Sequence, residues 1–399
     1  MKILVICQYY YPEPFRISDI CEELVKNGHE VTVVTGEPNY PEGLIYKGYE
    51  NHKRTDEIIN GVTVHRCHII PRKTGALFRL LNYFSYPLQA KKYVKKIMAS
   101  DGKPFDVVFV NQLSPVMMAE PGIAYKKKYG VPVILYCLDL WPESLIAGGV
   151  NRESLIYKFF QKISKRVYQT VDRILITSKM FRNYLTEQFG IEDKRIEYLP
   201  QYAEGIFEPL PFKEPSTITD FVFAGNIGEV QSIETIIQAA KKLQTVPVHF
   251  HIVGGGTDLE RLKGLAENLK NVTFYGRRPL EEMPRYYAMA DAMLVTLKAD
   301  PVLGLTLPGK VQSYMAVGKP IIGSADGETQ VIINESKCGF CGKAESVEDL
   351  IRCIYLFVEY KDKDQLGRNA FDYYEHHFAQ RLIIKKLDSE LRGLNEKQY

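Results

Sequence analysis

The chain begins with an apolar run, Lys2–Cys7, and a loop rich in proline, Tyr11-Pro12-Glu13-Pro14. Apolar residues then return at Ile17, Ile20, Cys21, Leu24 and Val25, the spacing of one helix face. Asn27-Gly28 stops that pattern, and 31–34 is a second apolar run. The opening therefore predicts strand, helix, strand. Further strand-like runs fall at 62–66, 107–110, 133–136 and 174–177, with helical patterns between most of them. Such alternation predicts a parallel sheet covered by helices on both faces.

Residues 200 to 219 interrupt this rhythm with Pro200, Pro209, Pro211 and Pro215, which marks a domain boundary. The opening pattern then repeats. Phe221–Ala224 reads as a strand, Gly225-Asn226-Ile227-Gly228 as a tight loop, and Ile233, Ile236, Ile237 and Ala240 as a helix face. More strands are expected at 248–253, 272–275, 292–295 and 321–322, and a helical tail from about 345. The expectation is α/β: two doubly wound domains, 1–200 and 201–377, facing each other across a cleft. Ligands of such sheets sit beyond the carboxyl ends of the strands.

Composition narrows the class. The chain has 399 residues, 45% hydrophobic and 25% charged, which excludes disorder. A net charge of +3 argues against a general nucleic-acid binder. No apolar run reaches the roughly 18 residues of a membrane span, and the start is too short and too strand-like for a signal peptide. Seven scattered cysteines fit a reduced, cytoplasmic protein rather than a disulfide framework. Charge is uneven, however. Residues 58–100 lack Asp and Glu but carry Arg66, Arg72, Lys73, Arg79, Lys91, Lys92, Lys95 and Lys96. With Phe78, Tyr83, Phe84 and Tyr93 interleaved, residues 72–97 suit an interfacial helix on anionic lipid. A basic face beside a core stripe is one alternative, and a nucleic-acid surface, which the rest of the chain does not support, is another.

Several motifs carry candidate chemistry. Gly225–Gly228 lies between strand and helix, where backbone N–H groups and the helix dipole can hold phosphate, or where the chain makes a plain tight turn. Gly304–Lys310 matches G-x-x-x-x-G-K, but Val311 replaces the Ser or Thr that a P-loop needs. Lys310 still starts a helical pattern, which suits a diphosphate or a solvated lysine. Cys338-Gly-Phe-Cys341 lacks the second pair of a zinc site and reads as a half-buried strand. Asp139-Leu140-Trp141-Pro142-Glu143 follows a strand, which places Asp139 and Glu143 for acid/base or hydroxyl-binding work, or for helix capping. Tyr11, Glu13 and Arg16, in the loop after the first strand, suit a sugar or phosphate ligand or simple aromatic packing.

Together these residues resemble the GT-B glycosyltransferases of family four. The resemblance rests on 225–231, Tyr275-Gly276-Arg277, Ala290-Asp291-Ala292, Tyr314–Ile321, Tyr11-Pro12-Glu13 and 139–143. It covers nearly the whole chain, and is nearest to the bacterial O-antigen and capsule branch with N-acetyl-L-fucosamine transferases. It implies two Rossmann-like domains, with a C-terminal helix from about 378 to 399 packing back on the first. It also implies a retaining transfer, without a required cofactor or catalytic metal, from a nucleotide sugar, UDP-linked, to a lipid-linked, undecaprenyl-type acceptor. The enzyme would then lie peripherally on the inner face of the cell membrane. The donor would meet Gly225, Asn226, Gly228, Gln231, Gly254, Gly276, Arg277, Thr306, Leu307, Lys310 and Ser313, and the acceptor Tyr11, Glu13 and Arg16. The family's E-x7-E carboxylates fall at Leu305 and Ser313, so both are missing, and Lys310 stands in for an absent phosphate-binding cation. A sugar-nucleotide epimerase or phosphorylase of the same fold, or a non-catalytic nucleotide-sugar-binding subunit, remains open at this point.

Overall fold

The computed structural model describes residues 1–71, 75–147, 149–214 and 216–395. The chain divides into two compact units, 1–199 with 384–399, and 200–383.

In the first unit the strands are β1 (Lys2–Ile6), β2 (Glu30–Gly36), β3 (Asp56–Ile59), β4 (Val62–Cys67), β5 (Val107–Gln112), β6 (Val133–Cys137), β7 (Arg173–Ile176) and β8 (Ile196–Tyr198). Their order is β3-β4-β2-β1-β5-β6-β7-β8. Every pairing is parallel except the β3–β4 hairpin. Ile3, Leu4, Val5 and Ile6 are all fully buried, because β1 is central and covered on both faces. In the second unit β9 (Thr219–Ala224), β10 (Val248–Val253), β11 (Val272–Gly276), β12 (Ala292–Thr296), β13 (Ile321–Ser324) and β14 (Gly339–Gly342) are ordered β11-β10-β9-β12-β13-β14, all parallel. That is the doubly wound order 3-2-1-4-5-6, and with the antiparallel edge strand β3 set aside, the first unit repeats it and adds β8 at its far edge.

The pleat divides the second unit's core in two. Phe221 and Phe223 face a cluster with the helices Ile233–Lys242 and Val347–Glu359. Val222 and Ala224 face the other cluster, with the helices Gly309–Ala316 and Lys363–His377. The sequence pattern misses β3 and β8. β3 is an edge strand with Ile58 78% exposed, so it lacks a clean buried face. Cys338 and Cys341 flank or lie in β14 as free thiols, and burial pushes both up to about 12.

The basic block folds as a helix, Ala76–Val94. Tyr83, Tyr86, Ala90 and Val94 form its buried stripe. Lys92, Lys95 and Lys96 are exposed, and Lys91 reaches Glu120 at 3.4 Å. Phe78, Leu80, Leu81 and Leu88 are exposed apolar residues on the same helix. Arg72 and Lys73 lie outside the described residues, as does the Arg79 side chain. The block is therefore a core helix with a basic face, and it also presents apolar surface. No described helix is long and apolar enough to cross a membrane.

Candidate functional site

Three loops leave the carboxyl ends of neighbouring strands in the second unit: Gly225–Gly228 after β9, Gly254–Gly256 after β10, and Arg277 after β11. They are tied to one another. The Gly225 N–H donates to Val253 O (3.0 Å), the Ile227 N–H to Gly255 O (2.9 Å), and the Gly254 N–H to Gly276 O (2.9 Å). At Gly254 φ is +150°, and a Cβ there would lie 1.9 Å from Gly225 O, so only glycine fits. These bonds correct one expectation. Two of the loop's N–H groups, at Gly225 and Ile227, hold the loops together and are spent before any phosphate arrives. Asn226 is exposed and Gly228 buried.

Lys310 brings a cation to these loops. It lies in the first turn of the helix Gly309–Ala316, whose start the fold sets beside the β9 loop. Its Nζ donates to Gln231 Oε1 (2.6 Å) and stands 3.8 Å from the centre of the Phe223 ring. Its Nζ would be 3.0 Å from a Cβ at Gly225, so the missing side chain is what lets the ammonium reach the loop. Burial without a carboxylate partner lowers the Lys310 pKa to about 7. A phosphate supplies what this ammonium lacks. Arg277 is exposed, and its Cβ would lie 3.2 Å from a Cβ at Gly255.

Thr306, Leu307 and Ser313 complete the expected donor set. Thr306 Oγ1 donates to Leu303 O (2.8 Å), and Leu307 packs against the core. Ser313 is 4% exposed, and its hydroxyl lies 3.1 Å from Glu204 Oε2 and 3.2 Å from Gly309 O. A carboxylate thus stands at Ser313 after all, brought by the 200–210 segment. The sequence hid Glu204 because it lies far from Ser313 along the chain. Glu204 sits only in a stretch that reads as a linker.

A cavity of about 620 Å3 opens near this site, but it is lined by Glu229, Glu234, Asp258 and Glu345. Its cations are already paired, Arg261 with Asp258 and Glu234, and Lys298 with Glu229. That charge pattern repels a diphosphate.

In the first unit Asp139 follows β6. Its Oδ2 accepts from Ser144 Oγ (2.6 Å). Burial raises its carboxyl to about 6, against the bonds from Ser144 and Leu140 that hold it down. An acid of that strength can exchange a proton near neutral pH. Glu143 does not share this role. It is 4% exposed and accepts from Tyr157 OH (2.9 Å), Tyr184 OH (2.8 Å) and Arg152 (2.8 Å). It anchors the helices Leu155–Thr170 and Phe181–Phe189 rather than facing a substrate.

Glu13 is corrected in the same way. It is 2% exposed and accepts from the backbone N–H groups of Asn39 (2.8 Å), Tyr40 (2.8 Å) and Tyr10 (3.3 Å). Burial nonetheless lifts its pKa to about 7. It clamps two loops together and offers nothing to an acceptor. Tyr11 is 49% exposed, its N–H held by Ser18 Oγ and its carbonyl by Arg66. Arg16 is half-buried at the start of the helix Ile17–Lys26.

Comparison with known proteins agrees with this division. The "Glycosyltransferase Family 4" model matches residues 16–201, and "Glycosyl transferases group 1" matches 208–372. The chain is 25% identical to the protein named as the colanic acid biosynthesis glycosyl transferase WcaI of Escherichia coli (strain K12), over 98% of this chain and 100% of that protein. Sucrose-phosphate synthase of Thermosynechococcus elongatus has the same fold, with a TM-score of 0.77 at 17% identity over 99% of both chains. So does Anabaena HepE, solved in complex with UDP, with a TM-score of 0.71 at 14% identity over 98% of this chain and 100% of that one. The chain is a glycosyltransferase of GT-B fold, similar over residues 16–201 to family 4 and over 208–372 to group 1.

Proposed function

We propose that this enzyme moves a sugar from a nucleoside diphosphate donor, UDP-linked, to a lipid-linked glycan during bacterial polysaccharide assembly, with retention at the anomeric carbon. The observation that carries the reading is Lys310, whose ammonium lies beside the Gly225 loop and donates to Gln231 Oε1, with its pKa lowered by burial. The leaving diphosphate needs fixed positive potential, and a cation kept out of water supplies it strongly. Arg277 adds to it from the β11 loop. Glu204, at Ser313, accepts from the ribose hydroxyls in place of the family's carboxylate. Asp139 contacts the transferred sugar or the acceptor hydroxyl.

Two relatives support the donor and the pathway. HepE is solved with UDP, and WcaI is named for colanic acid biosynthesis. The resemblance makes N-acetylated deoxyhexosamine donors the first to screen. A lipid-borne acceptor requires the enzyme at a bilayer. The exposed Phe78, Leu80, Leu81 and Leu88 beside Lys92, Lys95 and Lys96 provide a surface for it. Leu155, Ile156 and Phe159, exposed on a helix that meets the first through the Phe84–Phe160 stack, extend that surface.

The test is thermal stability of the whole chain with UDP, GDP, ADP or no nucleotide. A ligand at 100 times its Kd adds about 2.7 kcal/mol. A shift with UDP alone supports the reading, and transfer from labelled UDP-sugars to a lipid-linked acceptor completes it. A shift with GDP alone overturns the uridine assignment. No shift with any nucleotide overturns the donor site.

A further inference from the structure

We propose that Glu37, His52 and His68 bind a divalent transition-metal ion of the zinc class at the carboxyl edge of the first sheet. One oxygen or nitrogen from each of the three lies within 4.8 Å of the others. The site is separate from the donor machinery and does not depend on the reading given above.

The fold brings the three residues together. Glu37 leaves the end of β2 and His68 the end of β4, and these strands pair in register, Gly36 opposite Cys67. Both side chains therefore start from one edge. His52 arrives from the short turn Glu50–His52. Its Nδ1 lies 2.5 Å from Glu37 Oε1, and the Nδ1 of His68 lies 3.0 Å from Glu37 Oε2. The imidazoles meet edge to face, with centroids 4.4 Å apart. In a tetrahedral site with bonds of about 2.0–2.1 Å, neighbouring donor atoms stand roughly 3.3 Å apart. Small side-chain rotations reach that spacing.

Three further features fit a metal. First, Asn51 and His52 both have φ of 56°, the left-handed region. Each non-glycine residue there costs about 1–2 kcal/mol, so other interactions must hold the turn in place. The result aims His52 at Glu37. Second, the Glu37 side chain is 6% exposed while those of His52 and His68 are 50% and 55% exposed. An ion can enter from solvent and still meet a buried carboxylate. Third, the carboxylate is held from behind, because Glu37 Oε2 also accepts from the Ile69 N–H at 3.4 Å. Such outer partners orient a ligand.

The donor set also selects the metal. Two imidazoles and a carboxylate suit zinc or cobalt and leave a fourth position for water. Magnesium and calcium prefer oxygen donors and are disfavoured. Bound here, the ion would pin the segment between β2 and β3, which carries Tyr40 and Tyr46, to the sheet edge.

The experiment uses the untagged full-length chain, stripped with a chelator. Titration with Co2+ should give visible d–d absorption that saturates at a single ion per chain, and Zn2+ should displace it. Zn2+ should raise the melting temperature, and Mg2+ should not. The double variant His52→Ala/His68→Ala should lose about tenfold or more in Co2+ affinity. It should melt as the stripped wild-type protein does, which shows that it folds. Glu37→Gln should weaken binding alone, as a milder check. No absorption and no Zn2+ response in the wild-type chain would overturn the proposal, leaving a hydrogen-bonded cluster. Undiminished Co2+ affinity in the double variant would place the ion elsewhere and overturn it too. An equal response to Mg2+ would overturn the donor assignment.

Discussion

The loops after β1 and β9 occupy the same place in two copies of one topology, yet they do opposite things. After β1 the chain fills the space with side chains. Tyr9, Phe15 and Tyr40 pack with ring centroids 5.0–5.8 Å apart, and Glu13 is buried beneath three backbone donors. After β9 the chain removes side chains. Gly225 and Asn226 are exposed, and Lys310 enters where a Cβ would stand. One switch point is closed by aromatic packing, while the other stays open beside an ammonium. Topology therefore marks where a site can be, and side-chain volume decides which of the two leaves room for a ligand.

The comparison can be broken at several points. Asp139→Asn should cost the most, about 3–5 kcal/mol of transition-state stabilisation, a fall of roughly 10²–10⁴ in turnover. On the proposed reading the second unit holds the donor, so UDP affinity should stay as in the wild type. Steady-state rates and calorimetry separate the two, and a parallel loss of affinity would contradict the division. Gly254→Ala should lower stability by about 3 kcal/mol, since the new methyl meets Gly225 O. A urea melt reads this, and a mild effect would mean that the glycine loops can part.

Lys310→Met should weaken UDP binding by about 1.5–3 kcal/mol, roughly ten- to a hundredfold, the range for a hydrogen bond to a charged group. Unchanged affinity would remove Lys310 from the phosphate site. The pH dependence has a definite sign. The Lys310 pKa is lowered to about 7, so the free enzyme loses this proton as pH rises past 7. A diphosphate favours the charged form, so UDP affinity should fall above pH 7, with proton uptake on binding. Fold stability should rise between about pH 7 and 10, because the unfolded chain holds that proton longer.

The smallest expected effect lies in the closed loop. Glu13 is raised to about 7, so its stabilising share is complete below the ordinary glutamate value and is lost as pH rises through 7. Glu13→Gln should flatten that dependence at a cost of about 1 kcal/mol, and leave UDP affinity untouched. A drop in UDP affinity would mean that the two loops are not independent.

The alternation of apolar runs and helical faces was enough to read two doubly wound domains and the glycine loop of the second, because a central parallel strand must be apolar on both faces. Lys310 was legible too, since it starts a helical pattern just after Gly309. The fates of Asp139 and Glu143 were not, although they stand four residues apart. One keeps a raised pKa near neutrality, and the other is saturated by Tyr157, Tyr184 and Arg152. Nothing in the local sequence announces those partners.

The sequence by itself therefore determined most of the elements, their doubling and the places of the glycine loop and of Lys310. These follow from periodicity and local backbone chemistry, which act between near neighbours. Only the tertiary structure decided that Glu204 meets Ser313, that Glu13 is a clamp, and that Glu37, His52 and His68 converge. Those outcomes depend on contacts between distant segments. Burial and partners then set whether a carboxylate works or only holds the fold.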